Sequence, residues 1–139
     1  MKILTLSLLA VVLLVPGFSR ADEAAPKLNL IHVADLTALQ QQKDAKLQVL
    51  DANTTDFRTA NGVIPGAKLL TSFNRYDVAK ELPQDKATAL VFYCANSRCM
   101  ASHGAAERAI KAGYSKVSVL ADGLLGWKAA GQPTSKASR

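Results

Sequence analysis

The sequence predicts an α/β domain with a parallel sheet of about five strands flanked by short helices. Three observations carry that prediction. Apolar runs of strand length alternate along the chain with short segments of helical spacing. One run, Ala89 to Tyr93, is apolar throughout and reads as a buried strand. A polar loop, Cys94-Ala-Asn-Ser-Arg-Cys99, then leads straight into an alanine-rich helix, with Ala101, Ala105, Ala109 and Ala112 at helical spacing.

The elements follow in order. Leu28 to Val33 is the first strand, with His32 on it in a structural role. Asp35 to Gln42 is a short helix with Leu36 and Leu39 on one face. Leu47 to Leu50 is the second strand and ends at Asp51. Asn53 to Gly62 loses period and reads as loop, with one helical turn around Phe57. Val63-Ile-Pro-Gly66 is a turn, the proline setting φ and the glycine relieving it. Ala67 to Leu70 makes a brief strand, and Tyr76 to Leu82 a helix stopped by Pro83. After the central strand, loop and helix, Gly113 closes the helix, and Val117 to Leu120 is the last strand. Asp122-Gly123 turns into a short helix carrying Leu124, Leu125 and Trp127, the tryptophan as packing. Gly131 and Pro133 end regular structure.

The first 21 residues read as a secretory signal peptide. Lys2 gives a positive start, Ile3 to Val15 is almost unbroken apolar sequence, Pro16-Gly17 breaks it, and Ser19-Arg-Ala21 offers a cleavage site. A run of 13 residues is too short to span a bilayer. No cysteine for lipid attachment lies near the cut, so no stable membrane insertion is expected after processing. The expected location is the periplasm. Residues 22–27 then form a flexible leader, 28–133 the domain and 134–139 a polar tail. That length suffices for one core and not for two. The net charge of +6 falls by two when Lys2 and Arg20 leave, and much of the excess lies in Lys128, Lys136 and Arg139. No arginine-rich face interleaves with aromatics, which argues against nucleic-acid binding.

The chemistry is expected at Cys94. A tight loop between a strand end and a helix N-terminus directs backbone N–H groups at one spot, and the helix adds partial positive charge. A cysteine there should be a thiolate nucleophile in an anion-sized cradle. In parallel sheets ligands sit at the carboxyl ends of strands, where Cys94 falls. Both cysteines, Cys94 and Cys99, sit in this loop, as a disulfide, a redox pair or a soft-metal site. Such a bridge would close only a few residues and could not hold the fold together.

Four segments resemble a single rhodanese domain, the sulfurtransferase fold, across Leu30 to Pro133. They are Leu50-Asp51, Gly62-Val-Ile-Pro-Gly-Ala67, Tyr93-Cys94 with its loop and helix, and Asp122-Gly123 to Trp127. The resemblance is closest to an exported bacterial subgroup with a second cysteine in or beside the active-site loop. Departures are visible. Asn53 stands where the family commonly has arginine, Val63 replaces the turn histidine, and Ser97, Cys99 and Met100 stand at the loop's usual glycine, arginine and serine. Phosphatases of related fold use a cysteine and an arginine separated by five residues; here that arginine position is Met100, which cannot clamp a phosphoryl group.

The resemblance implies a catalytic Cys94 that takes the outer sulfur of a small anionic donor such as thiosulfate and passes it to a thiol or protein thiol. The amides of Ala95, Asn96, Ser97, Arg98 and Cys99 would hold the transferred sulfur. No organic cofactor is implied. Cys99 is a resolving thiol, a passive loop residue, or a copper(I) ligand with Cys94, Met100 and His103. Arg98 faces either the donor or solvent, and Ser97 supplies a hydroxyl or merely forms the turn. His103 supports the site as a solvated or capping residue, or as an acid–base. Asp51 would brace the cysteine loop through N–H groups. The alternative to an enzyme is a non-catalytic module of the same fold that binds a partner, copper(I) or senses redox state through Cys94 and Cys99.

Overall fold

The computed structural model describes residues 28–137; the expected signal peptide, the leader of residues 22–27 and the last two residues of the tail lie outside them. Five strands form one parallel sheet in the order β1-β5-β4-β2-β3. They are β1 (Asn29–Ile31), β2 (Leu47–Asp51), β3 (Lys68–Leu69), β4 (Ala89–Tyr93) and β5 (Val117–Leu120). The helices are α1 (Val33–Gln41), α2 (Thr55–Asn61), α3 (Val78–Glu81), α4 (Ala101–Lys111) and α5 (Gly123–Ala129). The α/β class and the five-stranded parallel sheet stand as read from sequence.

The period-two geometry of β4 divides the core in two. Leu90, Phe92 and Cys94 join a cluster with Tyr76 and with Ala105, Ala106 and Ala109 of α4. Val91 and Tyr93 point the other way, into a cluster with Val33 and Leu36 of α1 and Leu124 and Trp127 of α5. Small alanines let α4 sit close to the sheet, so the helix that follows the cysteine loop is held rigidly against the strand that precedes it.

Several boundaries differ from the sequence reading, each for a local reason. Val33 belongs to α1 and not to the first strand, because His32 begins the helix and its backbone N–H donates to Asp35 Oδ2 at 2.8 Å. His32 is therefore not a strand residue; its exposed ring places Nδ1 3.1 Å from Asp122 Oδ1. The stretch read as loop contains α2, capped by Thr54, whose hydroxyl accepts the Phe57 N–H at 3.3 Å. Helix α3 is shorter than expected. Asp77 caps it by accepting the Ala79 N–H, while Tyr76 before it is buried and donates its hydroxyl to Ala105 O at 2.9 Å. Ser135, read as part of a polar tail, pairs with Val63 through N–H···O bonds of 2.9 and 3.0 Å. Trp127 is buried, and its indole N–H donates to Pro133 O at 2.7 Å.

Candidate active site

Cys94 follows the last residue of β4, the strand lying between β5 and β2, and is 1% exposed. It faces α4, and the loop to Met100 turns back over it before that helix begins at Ala101. The sulfur thus lies beside the N-terminus of an 11-residue helix, where partial positive charge favours a thiolate.

Backbone contacts hold the loop from below. The N–H groups of Leu124 and Leu125, at the start of α5, donate to Cys94 O at 2.8 Å and Ala95 O at 2.9 Å. The approach requires a glycine. Gly123 has φ +62°, and a Cβ there would lie 2.6 Å from Asn96 N and 2.8 Å from Ala95 O. Asp122 anchors this helix start by accepting the Val33 N–H at 3.0 Å.

Asn96 organises the top of the loop. Its carbonyl accepts the Cys99 N–H at 3.0 Å, and its side-chain Oδ1 accepts the Arg98 N–H at 3.0 Å. Two of the amides expected to cradle the transferred sulfur are therefore turned onto Asn96 in this state. Asn96, Ser97 and Arg98 are exposed, and Arg98 has no carboxylate partner among the described residues.

Cys94 and Cys99 are joined as a disulfide, with their Cα atoms 6.2 Å apart. Ser102 Oγ lies 3.2 Å from Cys94 Sγ, and Ser102 is only 2% exposed. With no proton on a disulfide sulfur, the serine hydroxyl is the donor. Sequence reasoning missed Ser102, although a signal was present: it is the polar member of the helical stripe that continues with Ala105, Ala106 and Ala109.

Asp51 does not brace the cysteine loop through N–H groups, as expected from sequence. It is fully buried one strand away, paired in register with Tyr93. Its Oδ2 accepts the Tyr93 hydroxyl at 2.6 Å, and its Oδ1 accepts from Asn53 N at 2.7 Å and Arg58 Nε at 3.2 Å. Tyr93 also accepts the Ile64 N–H at 3.1 Å. Burial, then the Asp51 charge, pushes the Tyr93 phenol up, so it stays a protonated donor. Arg58 completes the network, donating through Nη2 to Asp51 O at 2.8 Å and Leu70 O at 2.9 Å. It ties the ends of β2 and β3 together, and nothing in its spacing announced it. The support reaches Cys94 through its neighbour Tyr93, whose carbonyl also accepts the Ala52 N–H at 2.9 Å.

His103, expected as a solvated or capping residue or as an acid–base, is half-buried with its Nδ1 enclosed and unpartnered. Among the described residues no group of three or more His, Cys, Asp or Glu side chains is placed to hold a metal ion. Met100 is 64% exposed.

Residues 33–130 match the rhodanese-like domain. The chain belongs to that family. Among curated proteins none matches. Solved structures share the fold. A protein of unknown function from Rhodopseudomonas palustris, described as a possible tyrosine phosphatase, is 24% identical with a TM-score of 0.65, covering 78% of this chain and 85% of its own. The thiosulfate sulfurtransferase of Pseudomonas aeruginosa is 24% identical with a TM-score of 0.64 over 81% of this chain, which spans 21% of that enzyme. A rhodanese-like domain protein from Staphylococcus aureus is 20% identical with a TM-score of 0.56, covering 72% of this chain and 91% of its own. At these identities the likeness is one of fold, and this rhodanese-like chain's chemistry must be argued from its own loop.

Proposed function

We propose that this rhodanese-like domain is an exported sulfurtransferase that carries sulfane sulfur on Cys94. The observation that carries the reading is the placement of Cys94. It follows the strand between β5 and β2, at the N-terminus of α4, with a second cysteine in bonding reach. In the reduced protein the Cys94 thiolate attacks the outer sulfur of thiosulfate or a related donor. The S–S bond of the donor breaks, sulfite leaves with its electron pair, and Cys94 holds a persulfide. An acceptor thiol takes that sulfur. Where Cys99 acts instead, its thiolate attacks the Cys94 sulfur, hydrosulfide leaves, and the Cys94–Cys99 disulfide remains. The signal-peptide pattern of residues 1–21 supports a periplasmic location, an oxidising compartment in which such a bridge persists.

A second reading has an observation in its favour. The Arg98 and Cys99 amides are occupied by Asn96, and no arginine stands at the loop's end, which suits a module that binds or senses without turning over. Intact-mass analysis of the reduced protein after thiosulfate decides between them. A gain of one sulfur, removed by a thiol acceptor, is expected of the enzyme. Unchanged mass with thiosulfate and with other sulfane donors would leave the module.

A further inference from the structure

The two sulfurs of the Cys94–Cys99 bridge are not equally open. Cys94 is 1% exposed, packed between β4 and α4 with Phe92 and Ala105 in its cluster. Cys99 is half-buried and sits between exposed Arg98 and Met100. Polar support is unequal in the opposite sense. The Ser102 hydroxyl stands 3.2 Å from Cys94 Sγ, on the first turn of α4, where the helix also favours negative charge.

Thiol–disulfide exchange is governed by which sulfur is accessible and which leaves as the better thiolate. Access favours attack at Cys99. The Ser102 hydroxyl and the start of α4 favour Cys94 as the leaving thiolate, against the Cys99 carbonyl oxygen 3.0 Å from Cys94 Sγ. We propose that a reducing thiol enters at Cys99 and expels Cys94 as the thiolate, with Ser102 the positioning residue that receives it. This deepens the sulfur-transfer reading, since it describes how an oxidised site is returned to its nucleophilic form, and rests on it only in requiring a free Cys94.

The step balances. A thiolate of the reductant forms a bond to Cys99 Sγ, the Cys94–Cys99 bond breaks, and its electron pair leaves on Cys94. The Ser102 hydroxyl donates to that thiolate. A second reductant thiolate then attacks the reductant sulfur of the mixed disulfide and expels the Cys99 thiolate. Two reductant thiols become one disulfide, two electrons pass to the protein, and the two protons are taken up by the cysteines or left in solution. The positive charge of neighbouring Arg98, exposed and unpaired with any carboxylate among the described residues, favours the anionic attacker on the Cys99 side.

The test needs no sulfur donor, so it stands or fails separately from the transfer activity. Air-oxidised protein is pulsed with 2-mercaptoethanol, quenched at early times with N-ethylmaleimide, and digested with trypsin. Cleavage after Arg98 puts Cys94 on the Ala87 to Arg98 peptide and Cys99 on the Cys99 to Arg108 peptide. The expected result is mercaptoethanol on the Cys99 peptide and maleimide on the Cys94 peptide. Mercaptoethanol first on Cys94, or equally on both, would overturn the proposal, as would oxidised protein whose mass shows no internal disulfide. Ser102→Ala should slow reduction about tenfold, from loss of a hydrogen bond to a charged group, and Ser102→Thr should restore most of the rate. Equal rates for Ser102→Ala and wild type would remove Ser102 from the step.

Discussion

Gly123 lies so close to Asn96 that a Cβ on it would sit 2.6 Å from the Asn96 backbone nitrogen. The contact joins the start of α5 to the cysteine loop, and it explains why a glycine far along the chain belongs to the site. Gly131 offers a control, since it also has a positive φ, +75°, but has nothing within 4 Å of its would-be Cβ. Gly131→Ala should cost about 1 kcal/mol from backbone strain alone. Gly123→Ala should cost more and also lower sulfur loading, because the loop must shift. Urea unfolding and persulfide mass measurements on both variants check this; equal effects would separate Gly123 from the loop.

Removing the Tyr93 hydroxyl should leave Asp51 Oδ2 and the Ile64 N–H without partners in a buried region. Tyr93→Phe is expected to destabilise by about 2–4 kcal/mol, since each orphaned group carries its own desolvation cost. Denaturant unfolding measures it, and a loss below the error of the method would mean water replaces the phenol.

Two buried tyrosines, Tyr93 and Tyr76, make stability depend on alkaline pH. Burial raises the Tyr93 and Tyr76 phenols above the ordinary 10.0, so their neutral forms are favoured in the fold. That contribution is complete below the unfolded value of about 10 and is lost as pH rises through the folded ones. Urea midpoints should therefore fall between about pH 9 and about pH 11. The fall should be shallower in Tyr93→Phe and Tyr76→Phe, and identical slopes in all three proteins would contradict the assignment.

Arg58 is 7% exposed and Asp51 is fully buried, so breaking the pair strands a charge in the core. Arg58→Met should cost about 3–5 kcal/mol. Arg58→Lys should recover little, because one ammonium cannot span Asp51 Oδ1, Asp51 O and Leu70 O as the guanidinium does. Thermal unfolding of both variants tests it; full rescue by lysine would show that charge alone matters.

The two cysteines should differ in the sulfur-loading experiment. Cys94→Ser is expected to abolish persulfide formation, because a hydroxyl is a poor nucleophile toward sulfur. Cys99→Ser should load normally and, if Cys99 resolves the persulfide to a disulfide with release of sulfide, hold its sulfur longer than wild type. A time course of intact mass after a limiting pulse of thiosulfate reads both outcomes. Loading without Cys94 would overturn its assignment.

Local pattern was enough to determine the class of this fold and to single out the cysteine loop as its candidate site. The strands Ala89–Tyr93 and Val117–Leu120 were read to the residue, the first because it is an uninterrupted apolar run and the second because its apolar residues are broken only by Ser118. Cys94 was legible because a strand, a short polar loop and a helix are adjacent in the chain. What depended on contacts distant in sequence was not legible. Arg58 reaches Leu70, Tyr93 reaches Asp51 across 42 residues, and Gly123 meets Asn96 only when α5 folds under the loop. Helix α2 was read only as a single turn for the same reason: it is short, and what anchors it is its own Arg58, donating to Asp51 O and Leu70 O. The orientation of the cysteine loop was likewise a tertiary decision. Sequence brings Cys94 and Cys99 within five positions of each other, but the Asn96 turn and the packing of α4 bury Cys94 and leave Cys99 half-buried.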